Sequence, residues 1–362
     1  MTREARLQEI RARIDALDEK IQALISERAT CAEHVAKIKQ DGGGAGQRFY
    51  RPEREAEILR RIRERNRGPL SDSEMVRLFR EIISACLALE QPLTVAYLGP
   101  EGTFTQAAAL KHFGHSVNTL ALPAIDVVFR EVESGKAHYG VVPVENSTEG
   151  VVNYTLDMFL RSPLSICGEV ELRVELHLLG KADSLAGIRE VYAHHQALAQ
   201  CREWLESHLT GVRLVAFSSN AEAARLAADV EGAAAIASEA AAERYGLQRL
   251  ASNIEDEPGN TTRFLIIGEH SSGRSGEDKT SLLVSVHNKP GALYRLLEPL
   301  VRHGISMTRI ESRPSRRGMW DYVFFVDFEG HRDDPGVRTA LAELESVTSL
   351  LRVLGSYPKA IL

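Results

Sequence analysis

The chain has 362 residues, 44% of them hydrophobic and 26% charged, with 44 Lys+Arg against 50 Asp+Glu and a formal net charge of −6. That profile is of a soluble globular protein; it excludes collagen-like, disordered and membrane-spanning chains and argues against general nucleic-acid or anionic-membrane binding. The length exceeds what a single core sustains, so two or three domains are expected. Charge is uneven along the chain: +2 over residues 1–92, −11 over 93–278 and +3 over 279–362. The opening MTREARLQEIRARID alternates charges and has no apolar h-region, which points to the cytoplasm. Cys31, Cys86, Cys167 and Cys201 show neither pairing nor metal-ligand spacing, so neither disulfide nor zinc is expected.

In residues 1–92, Ile10, Ile14, Leu17, Ile21, Leu24, Arg28, Cys31, Val35 and Ile38 recur at four-three spacing, which predicts one helix of about thirty residues. The glycines at 42, 43, 44 and 46 break it; with no Gly-Lys-Ser/Thr following, they read as a flexible link rather than a phosphate loop. Pro52 opens a second helix at an N1-type position, and the capping box at Ser71-Asp72-Ser73-Glu74 opens a third, which Pro92 stops. Three helices, one so long, cannot bury that stripe within a single compact chain, so a dimer through the long helix is expected.

Arg28 interrupts an apolar seam, where a guanidinium is costly without an anionic partner. Lys39, eleven residues on, projects from nearly the same face, whereas Arg11 points about 100° away and would serve a site completed by a second subunit. Alternatively Arg28 only sets register, and Lys39 and Arg11 are solvated. With Arg54, Glu55 and Glu90, the strings IRARIDALDEKIQALISER, VAKIK, RPEREAEIL and RLFREIISACLALE resemble the AroQ-type, all-helical chorismate mutases. The resemblance implies an intertwined dimer that converts chorismate to prephenate by a pericyclic rearrangement. Arg28, Arg54 and Arg11 of the partner subunit would grip the two carboxylates; Lys39 and residue 90 would meet the ether oxygen, and Glu55 belongs to the same set. This chain has Glu90 where the family often has Gln, and a carboxylate donates a hydrogen bond only when protonated. Cys86 stands where Ser is common.

From residue 93 the grammar changes. TVAYLG, YGVVPV, EVYA, RLVAF and AAIA each run into a small polar cap and a helix, which indicates α/β architecture with largely parallel sheets and a site beyond the strand ends. Each Ser, Thr or Asn taken singly also reads as a helix cap. No GxSxG, HExxH, Walker or GxGxxG string occurs.

GPEGTF (99–104), VENS (144–147), HHQALAQC (194–201) and NTTRF (260–264) resemble prephenate dehydratases. The resemblance implies two lobes of periplasmic-binding-protein type around a cleft, in which prephenate loses CO2 and its C4 hydroxyl to leave phenylpyruvate. Thr262 would contact the leaving hydroxyl and Arg263 would hold the pyruvyl carboxylate. Thr103, Asn146, Ser147 and Gln196 would orient the ring, with Glu145, His194, Ser219, Asn220 and Phe264 as further substrate contacts. His195 and Ala193 depart from the proline and serine common at those positions.

GEHSSGRSGED (268–278) reads as a polar linker. Beyond it a strand-helix-strand-strand-helix-strand order indicates an α+β, ferredoxin-like domain. NKPGAL (288–293) and ESRPS (311–315) resemble the signature segments of ACT domains attached to prephenate dehydratases. That implies feedback by phenylalanine bound between two such modules, through Asn288, Gly291, Ala292, Leu293, Glu311, Ser312 and Arg313. Gly291 alone also reads as a tight turn.

The expected organisation is therefore multidomain. An all-α mutase occupies 1–92, an α/β two-lobed dehydratase 93–270, a linker 271–278 and an ACT domain 279–362, resembling bifunctional chorismate mutase/prephenate dehydratases and calling for no cofactor or metal. Two alternatives stay open. One is a dehydratase with a vestigial mutase, against which the set Arg28, Lys39, Arg54 and Glu55 speaks. The other is a ligand-sensing regulator, for which no DNA-reading element or basic face is visible.

Overall fold

The computed structural model describes residues 2–41, 50–286, 289–314 and 322–361. The glycine run at 42–46, Asn288 and Ser315 lie outside the described residues. Among those described, no helix is long and apolar enough to cross a membrane.

The N-terminal part is helical: α1 (Arg3–Asp41), α2 (Pro52–Arg65) and α3 (Asp72–Glu90). Helix α1 runs for 39 residues rather than about thirty, because no breaker separates the polar residues 3–9 from the apolar repeat. Pro52 sits in the first turn of α2, and Ser71 Oγ caps α3 by accepting the Glu74 N–H at 3.2 Å. Only the C-terminal half of α1 packs on α3. Leu7, Ile10, Ile14, Leu17, Ile21 and Leu24 stay exposed along the rest.

The middle of the chain folds into two lobes. The first holds β1 (Thr94–Leu98), α4 (Phe104–Phe113), β2 (Asn118–Leu122), α5 (Ile125–Glu133), β3 (Tyr139–Asn146), β4 (Gly150–Val151), α6 (Asn153–Phe159) and β5 (Ser165–Arg173). The second holds β6 (His177–Gly180), β7 (Glu190–His194), α7 (His195–Gln200), α8 (Arg202–His208), β8 (Arg213–Phe217), α9 (Asn220–Ala227), β9 (Ala233–Ala237), α10 (Glu239–Tyr245) and β10 (Gln248–Ala251). Strand β11 (Thr261–Gly268) returns to the first lobe. The sheet orders are β2-β1-β3-β11-β5 and β10-β6-β9-β7-β8. Both are mixed rather than largely parallel. Only β1, β2 and β3, and β7, β8 and β9, run parallel; β5, β6, β10 and β11, which carry the chain between lobes, pair antiparallel. The two crossings lie side by side: Val174 N–H donates to Asn260 O and Ile254 N–H to Leu176 O, each at 2.8 Å.

The C-terminal domain comprises β12 (Asp278–Ser285), α11 (Ala292–Arg302), β13 (Met307–Pro314), β14 (Tyr322–Glu329), α12 (Pro335–Val347) and β15 (Leu350–Pro358), in sheet order β13-β14-β12-β15. One face buries Leu282, Val284, Val326 and Phe328 under α11 and α12. The other carries Leu283, Val323, Phe325 and Leu354, which share a single core with Val142, Val144, Leu265 and Ile267 of the first lobe. Where β15 lies on β5, a Cβ on Gly355 would stand 2.0 Å from the Ile166 carbonyl oxygen, so only glycine permits the approach.

The segment 271–278 is not a loose linker. Arg60 of α2 is buried and donates to Ser275 O, to Ser275 Oγ at 2.9 Å and to Glu277 O at 2.9 Å, while Ser272 Oγ donates to Cys167 O at 2.7 Å. A guanidinium from the helical domain thus adds to the strap's own bonds, in which Ser275 Oγ donates to Asp278 Oδ1 at 2.6 Å.

Candidate active sites

Helices α1 and α3 run parallel, so residues of one face of α1 meet α3 at two levels. Arg28 Nη1 lies 3.5 Å from Ile82 O, and three turns on, Lys39 Nζ lies 3.0 Å from Glu90 Oε2. Glu55 of α2 enters the same space with Arg80 Nε 3.7 Å from its carboxylate. Burial pushes the Glu55 carboxyl up from 4.5 to about 7, outweighing the opposing charges of Arg80 and then Arg28. Arg28 and Glu55 thus lie at one level of the α1–α3 seam, and Lys39 and Glu90 form a pair at the other. Arg54 is not: it is exposed and pairs with Glu57 at 3.1 Å on the outer face of α2. Arg11 lies on the exposed stretch of α1, about 25 Å along the axis from Arg28. Nothing in the local pattern singles out Arg80, which reaches Glu55 only through the packing of α2 on α3.

A carboxyl whose folded pKa is raised stabilises the fold fully below its unfolded value and loses that contribution as pH rises through the folded one. For Glu55 the window is about 4.5 to 7, and ionising the buried group costs about 3 kcal/mol. Glu55→Gln is therefore expected to raise the melting temperature over the parent at pH 8.5 and to leave it unchanged at pH 4. Equal shifts at both pH values would contradict the assignment.

Between the two lobes lies a cleft with a cavity of about 750 Å³. Its wall carries Thr103, His194, Ser219 and Asn220 of the expected set. Thr103 caps α4, accepting Gln106 N–H at 3.4 Å, and Ser219 caps α9, accepting Glu222 N–H at 3.1 Å, so two helix N-termini meet across the opening. Asn220 Oδ1 accepts the His194 N–H at 2.8 Å. Burial, and after it the neighbouring His195, lower the His194 pKa. Arg225, one helical turn beyond Ala221 on α9, is the one arginine or lysine in the cleft wall, and it forms no salt bridge among the described residues. Sequence reading missed it; its place four residues after Ala221 and three after Glu222 was the available signal.

Thr262, Asn146, Ser147 and Gln196 do not line that cavity; they belong to a hydrogen-bonded cluster whose partners Glu149, Gln200 and Asn260 line a separate cavity of about 510 Å³. Asn146 Oδ1 accepts the N–H groups of Thr148 (3.0 Å) and Glu149 (2.8 Å), which fixes its amide, so Nδ2 donates to Thr262 Oγ1 at 2.8 Å and Asn260 Oδ1 at 2.7 Å. Ser147 Oγ accepts Thr261 N–H at 2.9 Å. Gln196 and Gln200 of the second lobe both donate to Glu149 of the first, at 3.3 and 3.1 Å.

Three expected contacts lie elsewhere. Arg263 faces away from the cleft: its guanidinium meets Glu169 (2.9 Å), Asp327 (2.6 Å) and the Tyr357 hydroxyl (3.0 Å) against the C-terminal domain. Successive residues of a strand point to opposite faces, so Thr262 and Arg263 cannot share one pocket. Glu145 points the same way as Arg263, its carboxylate 3.0 Å from Arg309 Nε. Phe264 is 1% exposed and belongs to the core with Val95 and Tyr97.

In the C-terminal domain Gly291, Ala292 and Leu293 line a cavity of about 310 Å³ with Tyr294, Tyr322 and Phe324. Gly291 has φ +76°, a left-handed conformation that frees it to start α11. Glu311 and Ser312 are on β13 and do not line this cavity, and Arg313 instead binds α6, donating to Asn153 Oδ1 at 2.7 Å and Asp157 Oδ1 at 2.8 Å. No group of three or more His, Cys, Asp or Glu placed to hold a metal occurs among the described residues.

Comparison with known proteins covers all three parts. Family profiles match residues 10–91 as chorismate mutase type II, 95–272 as prephenate dehydratase and 280–346 as an ACT domain. A bifunctional chorismate mutase/prephenate dehydratase of Stutzerimonas stutzeri is 56% identical over 100% of both chains, and so is one from Pseudomonas aeruginosa. A crystal structure of prephenate dehydratase from Arthrobacter aurescens in complex with L-Phe, 34% identical, aligns over 74% of this chain and 90% of its own with a TM-score of 0.68. Helical, two-lobed and ferredoxin-like parts in this order, matched end to end at that identity, make the chain a member of the bifunctional chorismate mutase/prephenate dehydratase family.

Proposed function

We propose that the helical site rearranges chorismate to prephenate through Arg28, Lys39 and Glu55, and that the cleft converts prephenate to phenylpyruvate with Thr262 at the leaving hydroxyl. The rearrangement is unimolecular and needs conformational restriction plus charge at one oxygen, which a lysine on a rigid helix supplies. Arg28 grips a carboxylate, Lys39 meets the ether oxygen, and Glu90 holds Lys39 until substrate displaces it. The exposed apolar stripe of α1 supports a dimer in which Arg11 of the partner subunit completes the grip on substrate.

One observation carries the assignment of Thr262: Asn146 donates to its oxygen, so the hydroxyl hydrogen is left to point at substrate. In the dehydration the bond to the ring carboxyl breaks, releasing CO2, its electron pair enters the ring and the C4–O bond breaks; the oxygen leaves as hydroxide, stabilised by the Thr262 hydrogen bond, and takes its proton from solvent. With Arg263 turned away, Arg225 and the N-termini of α4 and α9 take the pyruvyl carboxylate. Arg225→Leu should raise KM for prephenate about tenfold with kcat nearly kept, the loss of a charged hydrogen bond made equally to ground and transition states; an unchanged KM would remove it.

Phenylalanine, the eventual product of the route, would bind the cavity beside Gly291 as feedback inhibitor. The whole reading is tested by incubating purified protein with chorismate and following chorismate loss and phenylpyruvate appearance, with and without phenylalanine. Both signals are expected, the second falling when phenylalanine is added. Prephenate turnover without chorismate loss would leave only the dehydratase.

A further inference from the structure

In the antiparallel pairing of β3 with β11, Asn146 lies opposite Thr262, and Glu145 lies opposite Arg263. The first pair is hydrogen-bonded to itself on the face of the sheet turned away from the C-terminal domain. The second pair, one residue along each strand, emerges on the other side, where the C-terminal domain covers it. The charges there meet that domain, and Arg263 also pairs within the first lobe with Glu169 at 2.9 Å. Arg309 of β13 pairs with Glu145 at 3.0 Å, and Asp327 of β14 and Tyr357 of β15 receive Arg263 at 2.6 and 3.0 Å. Ser281 of β12 donates to Asp327 at 2.6 Å, and Lys279 lies 2.8 Å from Glu169, the third partner of Arg263. The side chains of Arg263, Glu169, Asp327 and Arg309 are 12%, 1%, 6% and 10% exposed, which keeps this part of the cluster dry, while Glu145, at 39%, forms its open edge.

We propose that Glu145 and Arg263 are positioning residues: the C-terminal domain grips this pair on one face of the sheet and thereby sets the Asn146–Thr262 pair on the other. The inference rests on the assignment of Thr262 to the dehydratase reaction. It also gives effector binding a short route to the chemistry. Tyr322 and Phe324 of β14 line the cavity beside Gly291 and lie opposite Pro314 and Ser312 of β13, the strand whose Arg309 and Arg313 both hold the first lobe. A shift of this one strand pulls Glu145, and with it Asn146, directly. No separate hinge is required, and the coupling is a differential contact between two states of the same sheet interface.

The test uses the full chain with Glu145→Gln and Arg309→Met, each removing one charge while keeping the shape. Dehydratase kcat is expected to fall about tenfold with KM nearly unchanged, because the reacting hydroxyl is misplaced rather than the substrate released. Phenylalanine binding, read by calorimetry, is expected to remain within about twofold, while the concentration needed for half inhibition rises about tenfold. Chorismate consumption should stay at the parent rate and report an intact fold. The charge-swapped double variant Glu145→Arg, Arg309→Glu should recover both kcat and inhibition. Parent kcat and parent inhibition in both single variants would overturn the proposal. So would a joint loss of phenylalanine binding and inhibition with kcat unchanged, which would make Arg309 part of the effector site alone. A Thr262→Val variant run in parallel separates the two layers: if it retains turnover, the assignment of the reacting hydroxyl fails and the grip behind it has nothing to position.

Discussion

Replacing Thr262 by valine is expected to lower prephenate turnover by about 10²- to 10⁴-fold, the range for losing one positioned proton donor, while chorismate is still consumed at the parent rate. Valine keeps the branched shape and the β-propensity of the strand, so the loss reports the hydroxyl and not the fold. It does leave one Asn146 N–H without its acceptor, but Asn146 is only partly buried, so water can replace Oγ1, and the other N–H still reaches Asn260 at 2.7 Å. Thr262→Ser should restore most of the rate. The measurement is prephenate-dependent formation of phenylpyruvate, and retention of more than a tenth of the parent kcat in the valine variant would remove Thr262 from the mechanism.

The second large effect is expected at Lys39. Lys39→Met keeps the aliphatic stem on α1 and deletes the ammonium, and should reduce the chorismate rearrangement about 10²- to 10³-fold, the loss associated with a single preorganised donor at a developing oxyanion. Prephenate supplied directly should still be dehydrated at the parent rate. The same deletion leaves Glu90, 12% exposed, without its 3.0 Å partner, so the variant should be compared with Lys39→Met, Glu90→Gln, which removes the orphaned charge. If the double variant recovers the parent rate, Lys39 serves only to neutralise Glu90. Persistent loss of the rearrangement in both assigns the ammonium to the substrate.

The parts of this architecture that obey local rules were readable before any coordinates. Pro52 and Ser71 open α2 and α3 because ring geometry and side-chain capping act within a few residues, and the apolar period of α1 needs no partner to be seen. The strand-cap-helix units were legible for the same reason, but sheet direction was not: whether β5 and β11 run with or against β3 depends on where the chain crosses between lobes. Adjacency in sequence misled at NTTRF. Thr262, Arg263 and Phe264 read as one functional string, yet strand alternation, with a bulge between Arg263 and Phe264, sends them to a cleft, an interdomain ion cluster and a core. The alternation itself was predictable; what would cover the far face was not, because Asp327 and Tyr357 lie more than sixty residues away. Arg225 was invisible for the converse reason, since a solvated arginine on a short helix becomes a cleft residue only when a second lobe stands opposite.

The single core shared by the two-lobed unit and the C-terminal sheet bears on how inhibition could be relaxed by selection or by engineering. Cutting the chain before β12 would strip Val142, Val144, Leu265 and Ile267 of the core they share with Leu283, Val323, Phe325, Leu354 and Tyr357 and open the close crossing at Gly355. Those neighbours supply stability as well as regulation, so the truncated enzyme would meet proteases and aggregation before it met excess phenylalanine. Desensitised forms of this chain should therefore arise as point substitutions around Gly291 or along β13, with the regulatory domain retained as a structural wall of the enzyme it restrains.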